Sequence, residues 1–162
     1  KNLAIETNLV LSDSAKDNIA IETGYTGEDV EQLANVVHDI NDMAAPISSG
    51  SFQTSGMIII PCTIKTLSGV ANSYNDNLIV RAADVVLKER RRLVLVVRET
   101  PLHQGHLELM LKVTQIGGII MPPVPAFYHK PETIDDIINQ TIGKVLDIFS
   151  IDGKLFNRWG GR

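Results

Sequence analysis

The sequence predicts an α/β fold in which a mostly parallel sheet is covered by helices. Short apolar runs with the length and β-branched content of strands buried on both faces occupy residues 8–11, 57–60 and 93–97, and a weaker fourth run occupies residues 119–121. Helical patterns separate these runs, at residues 14–22, 28–37, 64–71, 78–89, 104–115 and 133–149. Alternation of strands and helices is typical of layered α/β proteins, and a length of 162 residues predicts a single domain.

Local signals place the ends of several helices. Asp13 or Ser14 follows the first strand as a candidate cap, and Thr133 precedes Asp135 and Asp136, whose negative charges suit a helix N-terminus. Residues 121–128 contain three prolines, which lack amide donors. This segment is therefore predicted to be an ordered, non-helical connection.

Composition limits the classes of partner. The formal net charge of −4 gives no global basic field that would attract nucleic acid or an anionic membrane. The apolar runs are only a few residues long, whereas a helix needs roughly 20 to cross a bilayer. The one cysteine, Cys62, forms no internal disulfide and has no zinc-site spacing around it, so we expect a cytoplasmic protein without a metal.

Polar residues follow each main strand, where open α/β sheets bind their ligands. Ser12 follows the first strand and Arg98-Glu99 the third. The second strand is followed by Thr63, Ile64, Lys65 and Thr66, which together offer hydroxyls, a cation and a helix start for a phosphate or a flavin edge. A plain helix cap and a structural ion pair are the alternative interpretations of these two stretches.

Other candidates are weaker when taken alone. Arg81 and Lys88 lie seven residues apart on a predicted helix and either clamp an anion or form a solvated face. Ser49 and Gly50 would let a backbone approach a planar ring, or simply form a turn. Three further groups are more typical of structural roles: the basic run 88–92 as a helix end, the pair His103 and His106 as capping or surface residues, and Cys62 as a core residue.

Six blocks of sequence, in order, resemble signature stretches of the UbiX/Pad family, with the bacterial UbiX branch as the nearest match. They run almost from end to end of the chain and are residues 6–10, 48–52, 61–67, 81–90, 98–102 and 122–128. The resemblance implies a three-layer, Rossmann-like flavoprotein fold. It also implies that the chain begins after the family's first strand and Gly-rich phosphate turn, so that the sheet of this single flavin-binding domain would lack its central strand.

The same resemblance assigns the site residue by residue. FMN would be held by Ser12, Ser49, Gly50, Arg81, Arg98 and the stretch Thr63, Ile64, Lys65, Thr66. The prenyl phosphate would be surrounded by Lys88, Arg98, Glu99, Tyr128, Lys144 and Trp159, with Glu22 reaching the flavin from another subunit. Glu99, Glu22 and Lys88 would be the catalytic residues. Relatives often carry arginine where this chain has Lys144, and lysine lacks the planar bidentate fork.

The activity implied is that of a flavin prenyltransferase. Reduced FMN would attack dimethylallyl monophosphate through its N5 atom, phosphate would leave, and a second bond to C6 would close a fourth ring. The product would serve a UbiD-type decarboxylase of ubiquinone biosynthesis, and the family's older name is carboxy-lyase. The resemblance further implies a homo-oligomer, a dodecamer with sites at subunit boundaries. An FMN-dependent decarboxylase of the related oligomeric flavoproteins and a non-catalytic flavin carrier are the alternatives.

Overall fold

The computed structural model describes residues 5–158 and residue 160. Its five strands are β1 (Asn8–Val10), β2 (Val36–His38), β3 (Gly56–Cys62), β4 (Arg92–Val97) and β5 (Ile119–Ile120). Its six α-helices are α1 (Asp13–Glu22), α2 (Gly27–Glu31), α3 (Ile64–Ala71), α4 (Leu78–Lys88), α5 (Gln104–Gln115) and α6 (Ile134–Ile148), and a 3-10 helix spans Pro46–Ser48. The predicted α/β class is confirmed.

All strand pairs among the described residues are parallel. β1 pairs with β2, and β4 lies between β3 and β5 in a second sheet. The register of β3 against β4 shifts between Ile59 and Cys62, just before β3 ends. Within the described part of the chain the two sheets share no strand pairing.

Helices cover both faces of the β3–β4–β5 sheet. Side chains alternate along β4, so Leu93, Leu95 and Val97 join a core formed with α3, α4 and α5. Val94 and Val96 point to the opposite face and pack with Val145 of α6. Both faces of β4 are therefore buried, as its continuous apolar run predicts.

Helix boundaries follow the local signals with two corrections. Helices α3 and α5 begin and end at the residues that the sequence pattern predicts. Thr133 caps α6 through a capping box with Asp136. The cap of α1 is Ser12, whose Oγ accepts from the N–H of Ala15 at 3.1 Å, and not Asp13 or Ser14. The predicted helix over residues 28–37 is wrong, because α2 ends at Glu31 and residues 36–38 form β2.

Gly56 is required where β3 begins. Its φ of +146° is unfavourable for residues with a side chain, and a Cβ there would lie 2.2 Å from the carbonyl oxygen of Arg92. Further along, residues 121–128 contain no helix, as their prolines predict. No helix in the described residues is both long enough and apolar enough to span a membrane.

Candidate functional site

The polar residues that follow β3 and β4 lie side by side at one edge of the sheet. The two strands are parallel, and the N–H of Arg98 donates to the carbonyl oxygen of Cys62 at 3.3 Å. Thr63 and Arg98 therefore leave neighbouring strands at the same level. The structure brings together the two stretches that the sequence singles out at this edge.

The first stretch forms the N-terminus of α3. Thr63 is the N-cap, and its Oγ1 accepts from the N–H of Thr66 at 3.3 Å and lies 3.2 Å from the hydroxyl of Thr66. Lys65 is exposed, with its Nζ 3.8 Å from Asp76. First-turn amides, a hydroxyl and an exposed cation suit an anionic group. Binding of FMN by this turn stays a prediction.

The second stretch consists of Arg98 and Glu99. Both side chains are exposed, and neither forms an ion pair with any described residue. Glu99 Oε1 accepts from the N–H of Thr100 at 3.1 Å. The alternative of a structural Arg98–Glu99 ion pair is thus not supported, and both residues are exposed directly after β4.

A loop after the 3-10 helix carries Ser49 and Gly50. The hydroxyls of Ser49 and Ser51 are 2.9 Å apart, which holds the turn closed over Gly50. A Cβ at Gly50 would lie 2.1 Å from Glu89 Oε1 and 2.7 Å from Lys88 Nζ. Gly50 is therefore covered on one side by these two charged groups, and a side chain at this position would displace them.

Helix α4 places Arg81 and Lys88 against the same loop. Arg81 Nε donates to the carbonyl oxygen of Ser48 at 3.1 Å, and its guanidinium lies 3.5 Å from Asp84. Lys88 donates to Glu89, and this hydrogen bond and charge hold the pKa of the Glu89 carboxyl below its usual value. Arg81 and Lys88 thus lie at one loop, as their spacing of seven residues predicts, but both are already paired within the chain.

A second polar cluster joins the proline-rich segment to α6. Gln140 is only 6% exposed, and its Nε2 donates to the Tyr128 hydroxyl at 3.1 Å. Lys144 lies one turn after Gln140 on the same helix and is exposed. The structure therefore places Tyr128 and Lys144 near one face of α6.

Three predicted residues lie elsewhere or outside the described residues. Ser12 caps α1, and Glu22 is the exposed last residue of that helix. A contact of Glu22 with flavin from another subunit stays a prediction. Trp159 lies outside the residues that the structure describes.

Arg91 and Gln140 are two polar residues for which the sequence predicts no role at the site. Arg91 belongs to the basic run 88–92, but its guanidinium donates to the carbonyl oxygens of Gly50 and Phe52, both at 2.7 Å. Gln140 anchors Tyr128. Gln140 stands between the polar residues Asn139 and Thr141, and Arg91 stands between two arginines, so no local signal distinguishes either residue.

The histidine pair has a structural role. His103 caps α5, since its Nδ1 accepts from the N–H of Gly105 at 3.1 Å, and its ring centroid lies 3.6 Å from that of His106. Among residues 5–158 and 160, no group of three His, Cys, Asp or Glu could hold a metal ion. The expected capping role of His103 is confirmed.

Cys62 is predicted to be chemically silent in the folded protein. It is 1% exposed, and burial raises the pKa of its thiol to about 12. A disulfide reagent at pH 8 should therefore label it only after denaturation, because the thiolate is the reactive form. Rapid labelling of the native protein would contradict this prediction.

The same pKa shift of Cys62 predicts that the free energy of unfolding falls as pH rises from 9.0 to about 12, since the unfolded chain loses this proton first.

Comparison with known proteins gives consistent matches over nearly the whole chain. The model of the family described as Flavoprotein matches residues 2–147. The flavin prenyltransferase UbiX of Thauera aromatica is 62% identical over 161 residues, covering 99% of this chain and 83% of the relative. The UbiX of Escherichia coli is 60% identical over 159 residues, covering 97% of this chain and 84% of the relative.

Solved structures agree with these matches. AnUbiX (PadA1), in complex with FMN and dimethylallyl pyrophosphate, has a TM-score of 0.96 at 54% identity, covering 98% of this chain and 84% of that one. A dodecameric FMN-dependent UbiX-like decarboxylase from Escherichia coli has a TM-score of 0.94 at 52% identity, covering 96% and 84%. The peptidyl-cysteine decarboxylase EpiD is similar in fold alone, at 16% identity and a TM-score of 0.53, covering 76% of this chain and 71% of EpiD.

Proposed function

Because this chain belongs to the Flavoprotein family and, within it, to the UbiX flavin prenyltransferases, we propose that it transfers a dimethylallyl group to reduced FMN. The similarity that carries this proposal is the one to AnUbiX, whose structure holds FMN and dimethylallyl pyrophosphate and matches 98% of this chain. The chain is an enzyme of the prenyl-transferring class.

Two groups of residues fit FMN. Ser49, Gly50 and Ser51 form a turn beside the start of β4, where the absence of a side chain at Gly50 lets the backbone approach a flat ring. Thr63, Lys65 and Thr66 form a helix start with hydroxyl and cationic groups for the polar parts of the cofactor. When bound, reduced FMN supplies the nucleophilic nitrogen that takes the prenyl group.

The cations of the site act on the prenyl phosphate. Lys88, Arg98 and Lys144 hold the phosphate and stabilise its charge as the carbon–oxygen bond breaks. Lys88 precedes β4 and Arg98 follows it, so these two cations reach one phosphate only where subunits meet. Arg98 makes no ion pair within the described residues, whereas Lys88 donates to Glu89 and keeps further N–H donors for a phosphate. Glu99 moves a proton, and Tyr128 is oriented by Gln140 to face the prenyl group.

The experiment that tests the function uses the full-length protein, reduced FMN and a dimethylallyl phosphate under anaerobic conditions, followed by mass spectrometry of the extracted flavin. A flavin heavier by one dimethylallyl unit supports prenyl transfer. Parallel reactions with the monophosphate and the diphosphate identify the donor, and we propose the monophosphate. Unmodified FMN that co-purifies would favour the decarboxylase or carrier alternative, and absence of bound flavin would contradict the assignment.

The wider role follows from the same proposal. The prenylated flavin is the cofactor of a UbiD-type decarboxylase in ubiquinone biosynthesis, and the described residues act as one flavin-binding domain in the cytoplasm. A free, buried cysteine is compatible with a reducing compartment. Cysteine decarboxylation has weaker support, because the cysteine decarboxylase EpiD is similar in fold alone.

We also propose a homo-oligomer that completes the site at subunit boundaries. Two pairs of apolar side chains, each one helical turn apart, are more than half exposed: Leu107 and Leu111 on α5, and Ile134 and Ile138 on α6. Exposed apolar patches on helices mark interfaces. The UbiX-like decarboxylase of Escherichia coli is dodecameric, which supports this assembly.

Sedimentation velocity tests the assembly. The full-length protein should sediment as an oligomer of up to twelve subunits. Lysines at Leu107 and Leu111 should shift it to smaller species, because two charges would be buried without partners. Leu33→Lys is the control, since Leu33 is 84% exposed and lies outside both pairs. A wild-type monomer with full turnover would contradict shared sites.

A further inference from the structure

The loop that carries Ser49 and Gly50 is held in place by side chains from α4 and from the segment that follows it. Its own backbone hydrogen bonds are short turns, such as those from Ser49 to Pro46 and from Phe52 to Ser49. Longer-range support comes from two arginines, which donate to the carbonyl oxygens of Ser48, Gly50 and Phe52. These contacts fix the position of the turn relative to α4 and the segment that follows it.

The end of α4 has a geometry that presents Arg91 to this loop. Arg90 has a φ of +58°, and its N–H donates to the carbonyl oxygen of Leu87 at 3.0 Å. The N–H of Arg91 donates to the carbonyl oxygen of Val86 at 2.9 Å. These two bonds form a Schellman motif, in which the left-handed residue reverses the chain. Arg91 is therefore fixed by its backbone as well as by its side chain.

The Arg91 side chain forms hydrogen bonds to the loop and no ion pair with the described residues. Its two terminal nitrogens each donate to a carbonyl oxygen at 2.7 Å, and within the described residues no carboxylate lies within ion-pair distance of it. A planar guanidinium donates to the two carbonyls from two separate nitrogens in a fixed geometry. Lysine would keep the charge but would lose this bidentate geometry.

We propose that Arg91 is a positioning residue for the flavin: it sets the Ser49–Gly50–Ser51 turn against which the ring lies. This inference rests on the proposed function. The same helix end places Lys88 and Glu89 over Gly50, so Arg91 also fixes the distance between the flavin turn and a phosphate-binding cation. Loss of the clamp therefore weakens FMN binding first and slows transfer second.

The test compares Arg91→Lys with Arg92→Lys in the full-length protein. Arg92 is the exposed neighbouring arginine, and no described residue makes an ion pair with it. Without flavin, hydrogen exchange in residues 46–55 should be about tenfold faster in Arg91→Lys, because a charged hydrogen bond is lost. The dissociation constant of FMN should rise about tenfold as well. Arg92→Lys should change neither quantity.

Each outcome decides the inference. Unchanged exchange in residues 46–55 of Arg91→Lys would overturn the clamp, whatever the enzyme does. Faster exchange with wild-type FMN affinity would show that the clamp does not position the flavin, while the proposed function would stand. Wild-type protein that binds no FMN would remove the proposed function and this inference together. Arg91→Gln, which keeps a single amide donor group, gives a second variant should Arg91→Lys fail to fold.

Discussion

Glutamine in place of Glu99 is expected to lower the rate of prenyl transfer by about 10²- to 10⁴-fold, the usual effect of losing a general acid or base. Glu99 follows β4 at the sheet edge and is exposed, and its Oε1 already accepts from the N–H of Thr100. Glutamine preserves the shape and this hydrogen bond but takes up no proton. FMN affinity should therefore stay close to the wild-type value.

Single-turnover mass spectrometry of the flavin, combined with an FMN titration, separates the two effects. Glu108→Gln provides the matched control, because Glu108 is an exposed glutamate on α5 and its Oε1 accepts from Gln104, a bond that an amide oxygen can also accept. An unchanged transfer rate in Glu99→Gln would remove Glu99 from proton transfer. A rate that falls only because FMN no longer binds would assign Glu99 to cofactor binding.

Most of the fold could be predicted because its signals are local. Apolar periodicity and a polar cap define α3 and α5 without reference to the rest of the chain. The strand β2 could not be predicted in this way. Residues 36–38 are stabilised by pairing with residues 8–10, and Asn35 accepts from the N–H of Thr7, 28 positions earlier. A contact across that separation leaves no periodic pattern in the short segment itself.

The site was predictable where topology fixes it and not where side chains reach across the fold. Thr63 and Arg98 follow neighbouring parallel strands, so the rule for open sheets brings them together. Arg91 contacts the carbonyl oxygen of Gly50, 41 positions away, and only the three-dimensional path of the loop reveals this. The pairing of Lys88 with Glu89 likewise depends on a rotamer that the residue order does not specify.

Alanine in place of Leu95 is expected to destabilise the protein by about 2 to 5 kcal/mol, the range for removing a buried leucine side chain. Leu95 lies in the middle of β4, is 0% exposed, and packs in the core shared with α3, α4 and α5. Helices on both faces of the sheet restrict how far the cavity can collapse, which favours the upper part of that range.

Urea denaturation at a fixed protein concentration measures this change, since an oligomer couples stability to concentration. Leu33→Ala removes the same atoms from a side chain that is 84% exposed and should cost less than about 0.5 kcal/mol. A cost for Leu95→Ala as small as that of Leu33→Ala would contradict the central position of β4. Because Thr63 and Arg98 are aligned by the β3–β4 pair, a loss of several kcal/mol here should also weaken FMN binding at temperatures near the melting transition.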